Sequence, residues 1–177
     1  MFRDVMLAVG PGPSATNALD AAVELASGAD GRVHAVVPMD ALPPIPSDWG
    51  VFPASLYTQL LDNAQARAEQ LADTVRSRQA TTPRLHEVRV ATAQLLHASQ
   101  VLALHARHAD AVVLGRPRDD ALLAAVRTLF VDLVLGAGRP LLLVPEGSRF
   151  RFRAGRVAIA WTPTRECSRA VHDALPL

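Results

Sequence analysis

One group of side chains, at residues 105–110, could be drawn as a metal-binding cluster. His105 and His108 are three residues apart and are followed by Asp110, so two imidazoles and one carboxylate could approach a common cation. No fourth ligand is evident, and histidines near the end of a helix also suit its dipole without any metal. His34 lies inside an apolar run with no catalytic partner in the sequence, which favours a hydrogen-bonded interior or edge residue. We therefore expect no metal site.

The other reactive residues have equally simple interpretations. Cys167 would be a reactive thiol only beside an activating group, which Arg165 or Arg169 would have to supply, and otherwise is a small residue packed near a helix start. Trp49, in a proline-rich loop, could cover a cleft, contact a partner or pack against the body. The sequence contains no Ser/His/Asp or Cys/His arrangement, no Gly-x4-Gly-Lys-Ser/Thr loop and no Gly-x-Gly-x2-Gly fingerprint. These observations favour a protein that is not an enzyme.

Composition limits the class of protein and its partners. Half of the 177 residues are hydrophobic and a fifth are charged, as in an ordinary globular protein. The net charge of +1 gives no general attraction to nucleic acid or to an anionic membrane. The single cysteine suits a reducing compartment, and no apolar stretch approaches the ~18 residues that a bilayer requires. The N-terminus begins a strand rather than a signal peptide, so we expect a cytoplasmic protein without nucleic-acid or membrane partners.

Five strands alternate with four helices along the first 145 residues. The strands are predicted at residues 5–9, 33–37, 87–90, 111–114 and 141–144. The helices are predicted at residues 14–27 (with Ser14 as the cap), about 54–80, about 93–108 and about 120–136. The third strand alternates polar and apolar residues, which is typical of a sheet edge. This order predicts a three-layer α/β/α fold with a five-stranded parallel sheet.

In such a sheet, ligands bind beyond the carboxyl ends of the strands, where the strand order reverses. The loops that follow the first and fourth strands, residues 10–13 and 115–120, are therefore the places to expect a binding site. Both loops contain glycine, and the second also contains arginine.

A weak internal repeat defines the rest of the chain. Residues 5–25 align without gaps on residues 157–177, and Val5, Pro11 and Ala18 correspond to Val157, Pro163 and Ala170. We predict one complete domain at 1–145, a basic linker at 146–154, and at 155–177 the first strand and helix of a second copy. The arginine-rich linker could contact nucleic acid, but without interleaved aromatic residues it is more typical of a solvated segment.

Three stretches together resemble the universal stress protein family, and in particular its tandem members. They are residues 2–9 as the opening strand, residues 109–115 as the fourth strand with its glycine, and residues 138–145 as the fifth strand. The resemblance covers residues 1–145 as one domain and residues 155–177 as the start of another. It implies the adenine-nucleotide alpha-hydrolase-like fold and a stress-response function.

The nucleotide-binding branch of that family has an aspartate after the first strand and Gly-x2-Gly-x9-Gly-Ser/Thr after the fourth. This chain has Gly10 at the aspartate position, and Thr162 stands at the equivalent position of the second copy. Gly115 matches the first motif glycine, Arg118 replaces the second, and Thr128-Leu129 replaces the final pair. Glycine is needed where backbone N–H groups closely approach phosphate oxygens, so we expect this domain to lack the usual ATP site.

The resemblance therefore implies a non-catalytic protein without a cofactor that acts through dimerisation and through protein or small-molecule binding. The alternative is a divergent ATP or AMP site in which arginines hold phosphate by charge. Its residues would be Gly10, Pro11, Val37, Gly115, Arg116, Arg118, Arg127 and Thr128. In this family the fifth strand commonly pairs across a dimer axis, which here implies a homodimer through Leu141, Leu142, Leu143 and Val144, with possible exchange of the C-terminal strand and helix. A flavin-binding electron carrier of similar architecture is a further, more distant alternative.

Overall fold

Five parallel strands form one sheet at the centre of the molecule. The computed structural model describes residues 2–28, 30–39, 54–92, 97–149, 151 and 156–175. The strand order is β3-β2-β1-β4-β5. The strands before and after β1 in this order are added on opposite sides of it, so the strand order reverses between β1 and β4. The strands are β1 (Asp4–Ala8), β2 (Arg32–Pro38), β3 (Leu85–Ala91), β4 (Ala111–Arg116) and β5 (Leu141–Pro145). The predicted fold class is confirmed, and β3 is an edge strand as its alternating sequence indicated.

Helices cover both faces of the sheet and one more follows it. They are α1 (Ser14–Ala26), α2 (Ala54–Arg76), α3 (Ala98–Ala106), α4 (Asp120–Gly136) and α5 (Arg165–Ala174). A 3-10 turn, Gln79–Thr81, follows α2 where the sequence predicted continued helix. Part of the helix predicted at 93–108, residues 93–96, and the loop with Trp49 lie outside the described residues.

Alternation along the strands divides the core into two layers. In β2, Val33, Ala35 and Val37 face α1 and α2, whereas Val36 faces α3 and α4. Successive side chains of a strand point to opposite faces, so each strand contributes to both layers. The strands need apolar residues on both faces for this reason, and that explains their nearly continuous apolar runs.

The start of α1 differs from the prediction. Ser14 was expected to cap the helix, but the cap position is Pro13, and the hydroxyl of Ser14 makes no hydrogen bond. Ser14 is instead the first helical residue, only 1% exposed, and packs on β4. A Cβ on Gly115 would lie 2.6 Å from the Ser14 carbonyl oxygen. Gly115 therefore permits the close approach of α1 to the sheet.

The segment predicted as a strand at 157–161 forms none in the single chain. No other strand in the described part of the chain supplies its backbone with partners, and every described residue from 156 to 175 is at least partly exposed. The helix predicted after it does form, as α5. Thr164 caps that helix by accepting a hydrogen bond from the Cys167 N–H at 3.1 Å.

Candidate functional site

A cleft lies at the carboxyl ends of β1 and β2, between α2 on one side and α3 and α4 on the other. Its volume is about 650 Å³, which suits a small-molecule ligand. Its walls are mostly apolar, with a few polar side chains. The described lining residues are Val9, Pro11, Pro38, Met39, Ala64, Arg67, Ala68, Leu71, His97, Ala98, Ser99, Ala125, Thr128, Leu129 and Asp132.

The adjacent space between the β1 and β4 loops is filled by α4. A Cβ on Gly10 would lie 3.3 Å from a methyl carbon of Val126 and 3.8 Å from one of Leu129. A Cβ on Gly12, whose φ is +88°, would lie 2.6 Å from Leu122 Cδ1. A carboxylate in place of Gly10 would therefore point at hydrocarbon, where its desolvation would be costly. The point where strand order reverses is packed with side chains of α4.

In the loop after β4, the backbone amide at the second motif position already has an anionic partner. The N–H of Arg118 donates to the Glu146 carboxylate at 3.0 Å. Glu146 is brought there because β5 lies beside β4, with Arg116 opposite Pro145, and its own N–H donates to the Arg116 carbonyl at 2.9 Å. A carboxylate of the protein thus accepts the hydrogen bond from the N–H group that a bound phosphate would need.

Further hydrogen bonds fix the turn that carries Glu146. The Gly147 N–H donates to Asn17 Oδ1 at 3.0 Å, and Asn17 Nδ2 donates to the Ser148 carbonyl at 3.3 Å. Gly147 has a φ of +74°, and a Cβ there would lie 3.1 Å from a guanidinium nitrogen of Arg118. The turn is therefore tied to α1 and packed under Arg118.

The first turn of α4 is also acidic. Asp119 caps the helix by accepting from the Ala121 N–H at 2.8 Å, and Asp120 follows it. These carboxylates interact with the positive N-terminal end of the α4 dipole, which would otherwise favour a phosphate group.

The eight predicted nucleotide-site residues are not brought together. Pro11 and Thr128 line the cleft. Val37 is wholly buried against α1 and α2, so its side chain cannot reach the cleft, and Pro38 lies there instead. Gly10 and Gly115 are packing positions. Arg116, Arg118 and Arg127 are exposed and are not among the lining residues.

Sequence reasoning missed the pair formed by Ser99 and Asp132. The Ser99 hydroxyl, in α3, donates a hydrogen bond to the Asp132 carboxylate, in α4. Ser99 is 3% exposed, and both residues line the cleft. Asp132 lies one helical turn beyond Thr128, so its spacing from the motif was the available signal.

The side chains considered as metal ligands do not converge on one point in the described part of the chain. His105 and His108 line a second cavity of about 270 Å³ with His34, Glu87 and Arg89. The two ring nitrogens of His34 lie 3.7 Å from Asp4 and 3.8 Å from Glu87, and Arg89 binds Glu87 through two contacts of 2.6 and 3.2 Å. Burial, together with the nearby Arg89 charge, lowers the pKa of His105. Within the described ranges, no three His, Cys, Asp or Glu side chains are placed to share a metal ion.

Asp110 forms hydrogen bonds with backbone groups and not with these histidines. Its carboxylate accepts the N–H groups of Arg3 at 2.8 Å and Asp4 at 3.0 Å, and the hydrogen bond from Asp4 is the main reason that its pKa is lowered. Asp110 therefore joins the start of β4 to the start of β1.

The residues predicted for a dimer interface occupy the other sheet edge. Leu141, Leu142 and Leu143 in β5 are half-buried, while Val144 is buried. The side of β5 away from β4 has no neighbouring strand in the described part of the chain. Elsewhere, α4 has the exposed apolar side chains Val131, Val134 and Leu135.

Comparisons with known proteins agree with this architecture. A protein from the universal stress protein family of Burkholderia pseudomallei has a solved structure that superposes with a TM-score of 0.57 at 22% identity, covering 80% of this chain and 95% of that one. The universal stress protein UspA of Lactobacillus plantarum superposes with a TM-score of 0.57 at 21% identity, covering 80% and 97%. At these identities the likeness concerns the fold.

No curated protein sequence matches the chain. No helix in the part of the chain that the structure describes is long and apolar enough to span a membrane.

The profile described as the universal stress protein family matches residues 1–137, which is well over half of the sequence. With that match and the parallel five-stranded sheet, we conclude that the chain belongs to the universal stress protein family.

Proposed function

We propose that this protein is a non-catalytic universal stress protein that does not bind ATP in the manner of its nucleotide-binding relatives. It acts in the cytoplasm through self-association and through small-molecule binding in the cleft beside α2. The division of the chain into a domain at 1–145 and the opening of a second unit at 155–177, as in tandem members, is part of the same proposal.

The contact between Glu146 and Arg118 carries this proposal. A triphosphate bound after β4 needs free backbone N–H groups, and here the N–H of Arg118 is paired with a carboxylate of the chain itself. The closure of the space above Gly10 by Val126 supports the same conclusion, since it leaves no room for a carboxylate beside an adenosine.

Nucleotide titrations test the proposal directly. We expect neither Mg-ATP nor AMP to raise the melting temperature saturably, and we expect no phosphate release from ATP. Glu146→Gln should remain unresponsive, because the neutral amide oxygen still accepts from Arg118 and the space above Gly10 stays filled. Saturable stabilisation of the wild-type protein by Mg-ATP that Arg118→Ala abolishes would establish the alternative, a nucleotide site built from Gly115, Arg116, Arg118 and Arg127.

Self-association is proposed to occur through β5. A strand edge with unpaired backbone groups and apolar side chains favours pairing with a second copy, and β5 has both features. A lysine on that edge opposes pairing through its charge. Leu141→Lys should therefore shift the protein from dimer to monomer in sedimentation, whereas Leu56→Lys, an equally large change at an exposed residue of α2, should not. An unchanged dimer with Leu141→Lys would place the interface elsewhere.

The C-terminal segment is proposed to dock on the partner chain. Val157, Ile159 and Trp161 are 81%, 61% and 57% exposed and occupy alternate positions, as in a strand with one apolar face. A single strand and helix cannot bury such a face alone, so a neighbouring chain is a suitable surface for it.

A further inference from the structure

A carboxylate that has no positive partner among the described residues lies in the wall of the cleft. Asp132 is half-buried in α4 and lines the cleft together with apolar residues such as Met39 and Leu71. No arginine or histidine nitrogen of the described residues lies within 4 Å of its carboxylate oxygens, although Arg67 and His97 line the same cleft. Partly buried charges in proteins are ordinarily paired, so this carboxylate is an exception that needs a reason.

Ser99 fixes the position of this carboxylate. Its hydroxyl is held at the start of α3, where the residue is 3% exposed, and it donates to one oxygen of Asp132. A carboxylate has about four acceptor positions, so this bond leaves the second oxygen available to a ligand. The pair connects two helices, and its geometry is therefore set by the packing of α3 on α4 rather than by a mobile loop.

The surroundings of Asp132 select the chemistry of that ligand. The cleft is large enough for a molecule with a hydrophobic body, and its apolar walls favour such a body. A phosphate or carboxylate near Asp132 would meet a like charge, whereas an ammonium group would meet a charged acceptor in a largely apolar setting.

We propose that the cleft binds small hydrophobic amines, with the ammonium group donating to Asp132 and the hydrophobic body packed between α2 and α4. This inference rests on the small-molecule binding of the proposed function and assigns it a ligand class. Arg67 and His97 then lie at other points of the wall and do not neutralise the carboxylate.

Three indole probes of matched shape but different charge test the inference: tryptamine, tryptophol and indole-3-propionate. Binding is measured by calorimetry on the full chain at neutral pH. A charge-assisted hydrogen bond predicts that tryptamine binds about 10 to 100 times more tightly than tryptophol, and that indole-3-propionate binds most weakly. This ranking is read from the wild-type protein, so it does not depend on the folding of any variant.

Asp132→Asn should remove the preference for tryptamine and leave the affinity for tryptophol within about twofold. Asp120→Asn is the matched control, because it makes the same change in the same helix at an exposed position outside the cleft. It should leave all three affinities unchanged. Equal affinities for the three probes, or an amine preference that survives Asp132→Asn, would overturn the inference.

The outcome is separable from that of the proposed function. Saturable ATP binding in the same samples would contradict the proposed function, whereas the absence of an amine preference without any nucleotide binding would contradict only the ligand class.

Discussion

At the scale of single residues, short-range packing decides what the loops around the cleft can bind. Gly115 has the position of a phosphate-loop glycine, yet the backbone of Ser14 lies in the space that a side chain at this position would need. The backbone N–H of Arg118 donates to the carboxylate of Glu146. Both groups therefore serve contacts within the protein, although the sequence motif alone would assign Gly115 to a ligand.

The sequence predicted part of this site. Pro11 was predicted from the loop after the first strand and Thr128 from its place in the family motif, and both line the cleft. Strand alternation turns Val37 toward α1, and it is the next residue, Pro38, that lines the cleft. Glu146 was missed because its partner is 28 residues away in sequence, although the parallel neighbours β4 and β5 end side by side.

The two buried serines should respond oppositely to alanine substitution. The Ser14 hydroxyl is buried without a partner, whereas that of Ser99 donates to Asp132. Ser14→Ala should leave the free energy of unfolding unchanged or raise it by about 1 kcal/mol, because an unsatisfied polar group is removed. Ser99→Ala should lower it by about 1 kcal/mol. Urea unfolding of both variants measures this difference, and equal effects would contradict the assigned roles.

Gly115→Ala should be among the most destabilising single substitutions. The added methyl would lie 2.6 Å from a backbone oxygen of Ser14, and the backbone of a packed helix cannot easily move away. We expect a loss of about 3 kcal/mol in the free energy of unfolding. Gly10→Ala is the matched control, since its methyl would meet only the Val126 side chain, at 3.3 Å, and should cost clearly less. A tolerated Gly115→Ala, measured by chemical denaturation, would contradict the packing argument.

At the scale of helices and strands, burial on both sides makes the sheet predictable. Because helices cover both faces of the sheet, four strands were visible as runs rich in Val, Leu and Ala, and the edge strand β3 as an alternation. Helix starts were less predictable because capping depends on local geometry, as Pro13 and Ser14 illustrate. Residues 157–161 have a strand-like sequence but no neighbouring strand in the described chain, and a strand requires a partner that its own sequence does not specify.

Asp110 should make the attachment of β4 to β1 sensitive to acid. Its pKa is lower in the folded protein than in the unfolded chain, so the unfolded chain takes up the proton first. The stabilisation is therefore complete above its ordinary value of 3.8 and is lost as the pH falls through the lower folded value. Asp110→Asn should lower the free energy of unfolding by about 1 kcal/mol at pH 7, allowing for solvent screening, and by progressively less as the pH falls below 3.8. Denaturation at a series of pH values checks this, and a loss that does not depend on pH would contradict it.

At the scale of the whole molecule, two apolar features lack a neighbouring strand among the described residues. One is the open side of β5, and the other is the C-terminal segment with its exposed Val157, Ile159 and Trp161. A second copy of the chain would offer each of them an apolar counterpart.

Removing residues 150–177 should weaken the dimer without unfolding the domain. A stop after Arg149 keeps the Asn17 contacts to Gly147 and Ser148, which a cut at residue 146 would destroy. We expect the dimer dissociation constant to rise about tenfold or more in sedimentation equilibrium, with an unchanged unfolding midpoint at concentrations where both forms are monomeric. A full-length variant with serine at positions 157, 159 and 161 should behave alike. If neither changes the dissociation constant, the segment does not dock.

Trp161 gives this segment an optical property. The chain has two tryptophans, and Trp161 is more than half exposed, so its indole should emit at the long wavelengths typical of water. In a Trp49→Phe background it becomes the sole indole fluorophore. Contact with another protein surface would then move its emission to shorter wavelengths and protect it from acrylamide quenching. The emission wavelength, measured over a dilution series, would therefore show whether the segment is docked at each protein concentration.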